Sequence, residues 1–104
     1  MKHPLAITVD DIRQAQKTIQ NVINTTPCDF SKSASDLIGS EIVLKLENTQ
    51  RTGSFKIRGA ANKIASLTNE EKARGVIACS AGNHAQGVAL SSTLNGVKSV
   101  IVMP

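Results

Sequence analysis

The stretch "VIACSAGNHAQGVALSSTLNGVKSVIV" (residues 76–102) decides the fold. It opens on a short continuous apolar run, "VIACS" (76–80), the pattern of a strand covered on both faces. Gly82 and Asn83 then open a helix, Asn95-Gly96 closes it, and "KSVIVMP" (98–104) supplies a second buried strand. Strand, helix and strand in that order predict a parallel pair joined by a right-handed crossover. Cys79 ends the first run and is expected to be a buried, reduced thiol rather than half of a disulfide with Cys28.

The same alternation continues toward the N-terminus. "EIVLKLEN" (41–48) alternates branched apolar residues with Lys45 and Glu47, as a strand does. Residues 54–67 read as a helix capped by Ser54, with Phe55, Ala60, Ile64 and Leu67 on its apolar side. "TNEEKARG" (68–75) places Glu71 three residues after Thr68, the spacing of a capping box. From residue 41 onward the order is strand, helix, strand, helix, strand. The expected fold class is therefore α/β: an open parallel sheet with flanking helices. Ahead of it, "TVDDIRQAQKTIQNVIN" (8–24) follows the 3.6-residue period with Thr8 or Asp10 as cap, and Pro27 breaks the pattern. "SASDLIG" (33–39) is a short helical turn ended by Gly39. The domain reading divides the chain into an N-terminal helical segment, 1–40, and the start of an α/β region, 41–104.

Composition narrows the function classes. The chain has 104 residues, enough for one small domain, and 40% of them are hydrophobic, too many for a disordered chain. No apolar run approaches the roughly 20 residues that cross a bilayer, and "MKHPLAITVDD" has no secretory pattern. A soluble cytoplasmic protein with no membrane partner is the expectation. The net charge of +4 is scattered rather than massed, and aromatic content is 2%, without Trp or Tyr. Stacking platforms for single-stranded nucleic acid are absent, so no nucleic-acid partner is expected. Two histidines and two distant cysteines predict no metal site.

Two junctions between strand and helix carry the chemistry: "ENTQRTGSFK" (47–56) and "CSAGNHAQG" (79–87). Both place Gly, Ser or Asn where a helix begins, which leaves backbone N–H groups free to meet an anion. Ligands of open α/β sheets collect at the carboxyl ends of strands, where both loops are expected. Neither loop is a P-loop or a dinucleotide fingerprint. Lys56 follows Phe55 and precedes Ile57 at a helix start. One reading is a surface lysine whose stem covers apolar area. The other is an amine held uncharged by an apolar, partly closed flank, nucleophilic toward a carbonyl and able to form a Schiff base.

"KLENTQRTGSFKIRGAANKI" (45–64) followed by "GVIACSAGNHAQGVAL" (75–90) resembles the pyridoxal-phosphate-dependent threonine/serine dehydratases of the tryptophan-synthase-β, or type II, fold. The similarity runs nearly end to end. It implies pyridoxal 5'-phosphate as cofactor, with Lys56 as the lysine joined to it and Asn83 bonded to the phenolic oxygen of its ring. Ser80, Ala81, Gly82, Asn83 and His84 would form the loop whose amides receive the substrate carboxylate. The implied reaction is β-elimination of L-threonine to 2-oxobutanoate and ammonia, or of L-serine to pyruvate. His84 separates the loop from that of the cysteine-synthase branch. Serine racemases carry a serine where this chain has Ala81, and a second proton carrier is needed for racemisation. The "RTG" triplet is closer to the short catabolic dehydratases, which implies an AMP effector near Arg51, Thr52 and Gln86, with a solvated Arg51 as the other reading.

The family's glycine-rich phosphate cradle and its partner for the pyridine nitrogen come later than residue 104. The chain is therefore expected to be the front part of a longer protein, homo-oligomeric in its full-length form and inactive as this piece alone. The rival expectation is a truncated, non-catalytic α/β or subunit-association domain.

Overall fold

The computed structural model describes residues 6–104; residues 1–5, with which the expected N-terminal segment begins, lie outside them. Helix α1 (Val9–Ile19) starts on Thr8, whose side chain accepts the Asp11 N–H while the Asp11 carboxylate accepts the Thr8 N–H, a reciprocal cap. The helix stops at Ile19, five residues short of the end of the 8–24 stretch expected to be helical. Next come β1 (Cys28–Phe30), α2 (Lys32–Ile38) and β2 (Val43–Lys45). Gly39 ends α2 in the left-handed region.

Two short 3-10 turns, Glu47–Thr49 and Arg51–Gly53, lead into α3 (Lys56–Ala65) and then α4 (Asn69–Arg74). Thr68 and Glu71 form the expected capping box on α4. Strand β3 (Val76–Cys79), α5 (Asn83–Leu94) and β4 (Ser99–Val102) complete the chain. β3 and β4 pair in parallel, Val76 with Ser99 through Cys79 with Val102, as the 76–102 stretch predicts.

The α/β class stands, but the place of β2 does not. β2 pairs antiparallel with β1, in a two-stranded sheet separate from β3 and β4. The strand expected at 41–48 is only three residues long, and a hairpin-like partner was available nearby in "CDF", closer in sequence than β3.

The core forms where α3 and α5 pack together against one face of the β3–β4 sheet. Ala60 and Ile64 of α3, Val88 of α5 and Val97 before β4 make its centre, with Val76, Ala78 and Ile101 packed on it. Side chains alternate along a strand, so Ile77, Cys79, Val100 and Val102 face away. No described element covers that side: Ile77 is 77% exposed and Cys79 is exposed too. The expected burial of β3 on both faces, and of the Cys79 thiol, is thus corrected. Both cysteines are free. Phe55, expected on the buried side of α3, is also exposed, because α3 begins one residue after it.

Candidate functional site

The lysine of "TGSFK" is the first residue of α3, and Ser54, the expected cap, sits two residues before it. Ser54 Oγ still accepts the Lys56 N–H at 3.4 Å. The Lys56 ammonium lies 5.5 Å from the centre of the Phe55 ring, a cation–π contact. Lys56 itself is exposed, as the surface reading has it; the partly closed apolar flank of the other reading is not formed by the described residues. Its amine makes no hydrogen bond or ion pair with them.

The loop ahead of Lys56 is held firmly. Gln50 is buried, and its side-chain oxygen accepts the N–H groups of Asn24 and Arg51, while its amide donates to the Asn24 carbonyl. Glu47 grips Arg58 through two charge-assisted bonds of 2.8 Å and accepts the Thr26 hydroxyl at 2.6 Å. Lys45 donates to the Thr26 carbonyl at 2.7 Å. The Arg58 guanidinium, aided by Thr26, pulls the Glu47 carboxyl down to about 2. The same partner raises Arg58 further. This network ties the chain after α1 to the start of α3, two residues from Lys56.

Thr52 stands out in that loop. It is a β-branched residue at φ 70°, in the left-handed region, and its hydroxyl is buried without a partner. A non-glycine residue held there stores on the order of 1 kcal/mol of strain, which the Gln50 bonds on one side and α3 on the other keep in place. The Arg51 side chain donates to the Val22 carbonyl at 3.1 Å. The Arg51–Gly53 turn packs against α5, the helix that carries the exposed Gln86.

The second loop runs from Ser80 to Gly82, and Asn83 is the first residue of α5. Ser80 anchors it: the Ser80 N–H donates to the Val102 carbonyl, and its Oγ accepts the N–H groups of Gly82 and Ala85 at 3.3 Å each. The N–H groups of Ala81, Asn83 and His84 meet no acceptor among the described residues, as expected for the first turn of a helix. Ala81, Gly82, Asn83 and His84 are exposed. His84 also borders an open cleft of about 290 Å³ between α3, β3 and α5, which Lys56 does not line.

The start of α3 packs against the body of α5. Gly87, one turn after Asn83, lies against the backbone of Lys56 and Ile57. Glu47, Arg58, Thr26, Gln50 and Gly87 carry no signal in the sequence, because each has a partner 11 to 31 positions away and no motif spans them. Among the described residues no group of His, Cys, Asp and Glu is placed to hold a metal ion. No described helix is long and apolar enough to cross a membrane.

Comparison with known proteins sets this geometry in context. A family profile described as "Pyridoxal-phosphate dependent enzyme" matches residues 19–104. The chain is 57% identical over 98 residues to L-threonine ammonia-lyase of Thermotoga maritima, covering 94% of the chain and 24% of that protein. It is 51% identical over 102 residues to the catabolic L-threonine dehydratase TdcB of Escherichia coli K12, covering 98% and 31%. In structure it is similar to serine racemase of Dictyostelium discoideum, with a TM-score of 0.87, 43% identity, and coverage of 94% of this chain and 32% of that one. The chain thus spans about a third or less of the length of these relatives. With the profile matching 86 of the 104 residues, from Ile19 to Pro104, the chain belongs to the pyridoxal-phosphate dependent enzyme family.

Proposed function

We propose that this chain carries the lysine side of the cofactor site of an L-threonine, or L-serine, ammonia-lyase, which converts L-threonine to 2-oxobutanoate and ammonia. The observation that carries the reading is the packing of the start of α3 against α5, one turn from the start of α5 itself. The start of α3 bears an exposed, unpaired amine at Lys56; that of α5 bears unpartnered amides at Ala81, Asn83 and His84. The names of the relatives from Thermotoga maritima and Escherichia coli support the reaction class.

The residues present fit the cofactor in part. A free primary amine suits an aldehyde carbon, and free first-turn amides suit a carboxylate. Lys56 would hold the cofactor covalently, and Asn83 would bond its ring oxygen. When bound, pyridoxal phosphate supplies the electron sink that makes the substrate Cα proton acidic. The Lys56 Nζ would be the group that takes that proton. The free amides of Ala81, Asn83 and His84 would hold the substrate carboxylate, assisted by the positive end of α5. Ser80 holds the turn between them by accepting the N–H groups of Gly82 and Ala85.

Ala81 has no group that can carry a proton. Of the two chemistries represented among the relatives, elimination therefore suits this loop better than racemisation, despite the likeness to a serine racemase. Further parts of the proposal are an AMP effector near Arg51, Thr52 and Gln86, and a homo-oligomeric assembly. The division of the chain at residue 40 is proposed as well, with the β1–β2 pairing running across it. The test is ammonia release from L-threonine by the intact polypeptide that carries this sequence. Lys56→Ala should lower it at least about a thousandfold, and retention of activity would overturn the reading.

A further inference from the structure

Gly87 occupies the middle of α5, where a glycine destabilises a helix relative to alanine and so calls for a packing reason. The reason is visible at the crossing with α3. A Cβ built on Gly87 would lie 3.3 Å from the Lys56 carbonyl carbon, 3.3 Å from its oxygen and 3.3 Å from the Ile57 nitrogen. All three are backbone atoms, so no flexible side chain can step aside. Gly59, the glycine in the middle of α3, has nothing within 4 Å of its own Cβ position.

Around this point the helices are closely packed. Ile57 is fully buried, as are Ala61 of α3 and Ser91 of α5, and Ser91 lies one turn beyond Gly87. Residues four apart on a helix share a face, so Asn83, Gly87 and Ser91 form one line along α5. The backbone contact at Gly87 is its middle point, and Asn83, where the 80–84 loop enters α5, lies one turn before it. The separation of the two helix starts is therefore set at this contact.

We infer that Gly87 is a positioning residue: its missing side chain sets the spacing between Lys56 and the amide loop that begins α5. The inference rests on the proposed role of Lys56 only for its chemical consequence; the spacing itself is a matter of packing. An alanine at 87 must push α3 and α5 apart by a few tenths of an ångström. The amine would then be misaligned while the core stays intact.

The experiment compares Gly87→Ala with Gly59→Ala in the intact polypeptide, using pyridoxal phosphate as the probe. Crystal structures give the Lys56–Asn83 Cα separation, and the visible absorption band of the Lys56 adduct gives its rate of formation and its environment. Gly87→Ala should widen the separation, slow adduct formation about tenfold and shift the band. Gly59→Ala should leave all three within error. An unchanged separation and rate in Gly87→Ala would overturn the inference, and so would equal slowing by Gly59→Ala. Should Gly87→Ala not fold, Ile57→Val loosens the same crossing by one methyl group; it should slow adduct formation about threefold, and a wild-type rate would count against the inference. If the wild type forms no adduct at Lys56, the proposed function fails, while the crystallographic separation still decides the role of Gly87.

Discussion

The chain before Gln50 and the chain after it are held together by different forces. From α3 to β4, apolar side chains close over one another: Ile57, Ala60, Ala61, Ile64, Ala85, Val88 and Val97 are all buried. From α1 to β2, Ile19 is the buried apolar residue, while Val9, Ile12, Phe30, Leu37 and Val43 stand exposed. That earlier region is docked by polar ties instead, Gln50 to Asn24 and Glu47 to Thr26 and Arg58. The radius of gyration of 16.7 Å exceeds the about 13 Å of a compact 100-residue domain, in keeping with the loose apolar packing of that region. The contrast teaches that the packed half fixes where the helix starts are, and the hydrogen-bonded half fixes how the loop before Lys56 runs.

Three substitutions sharpen that contrast, beginning with the largest effect. Ile64→Ala, at the centre of the packed half, should cost about 3 kcal/mol in urea unfolding followed by circular dichroism. A loss under about 1 kcal/mol would mean that the α3–α5 core is not what holds the fold.

Glu47→Gln tests the polar half. The Glu47 carboxyl is depressed to about 2 in the folded chain from an ordinary 4.5. A depressed carboxylate adds stability that is fully present above the ordinary value and disappears as pH falls through the folded one. The wild type should therefore lose on the order of 2 kcal/mol between about pH 4.5 and about pH 2 on account of this group. Glu47→Gln should be weaker by a similar amount at pH 7, with that part of the acid limb flattened. A steep limb persisting in the variant would assign the acid sensitivity to another carboxylate.

The smallest effect is expected on the uncovered face of the sheet. Ile77→Ser should change stability by less than about 0.5 kcal/mol, because the side chain already stands in water. A larger loss in the same unfolding assay would show that something covers this face.

Much of the local structure was legible from sequence, for reasons tied to short range. Thr8 and Thr68 announce helix starts through partners three residues away, and Asn95-Gly96 closes α5 where its spacing predicts. β1 escaped notice because three residues, one of them Asp29, carry too little pattern without knowledge of their partner β2. A wholly apolar run such as "VIAC" has no alternation to tell one covered face from two, so the exposure of Ile77 and Cys79 was hidden. At the candidate site, the helix starts at Lys56 and Asn83 were readable, since glycine, serine and asparagine cluster there. What holds them was not. Glu47 reaches Arg58 across a loop, and the contact of Gly87 with Lys56 exists only once two helices have crossed.

The most direct measurement is borohydride reduction of the intact polypeptide in the presence of pyridoxal phosphate, followed by peptide mapping. One pyridoxyl tag on Lys56, inside the peptide spanning residues 52–60, is the result predicted here. A tag carried instead by Lys45 or Lys63, with Lys56 unmodified, would contradict the account.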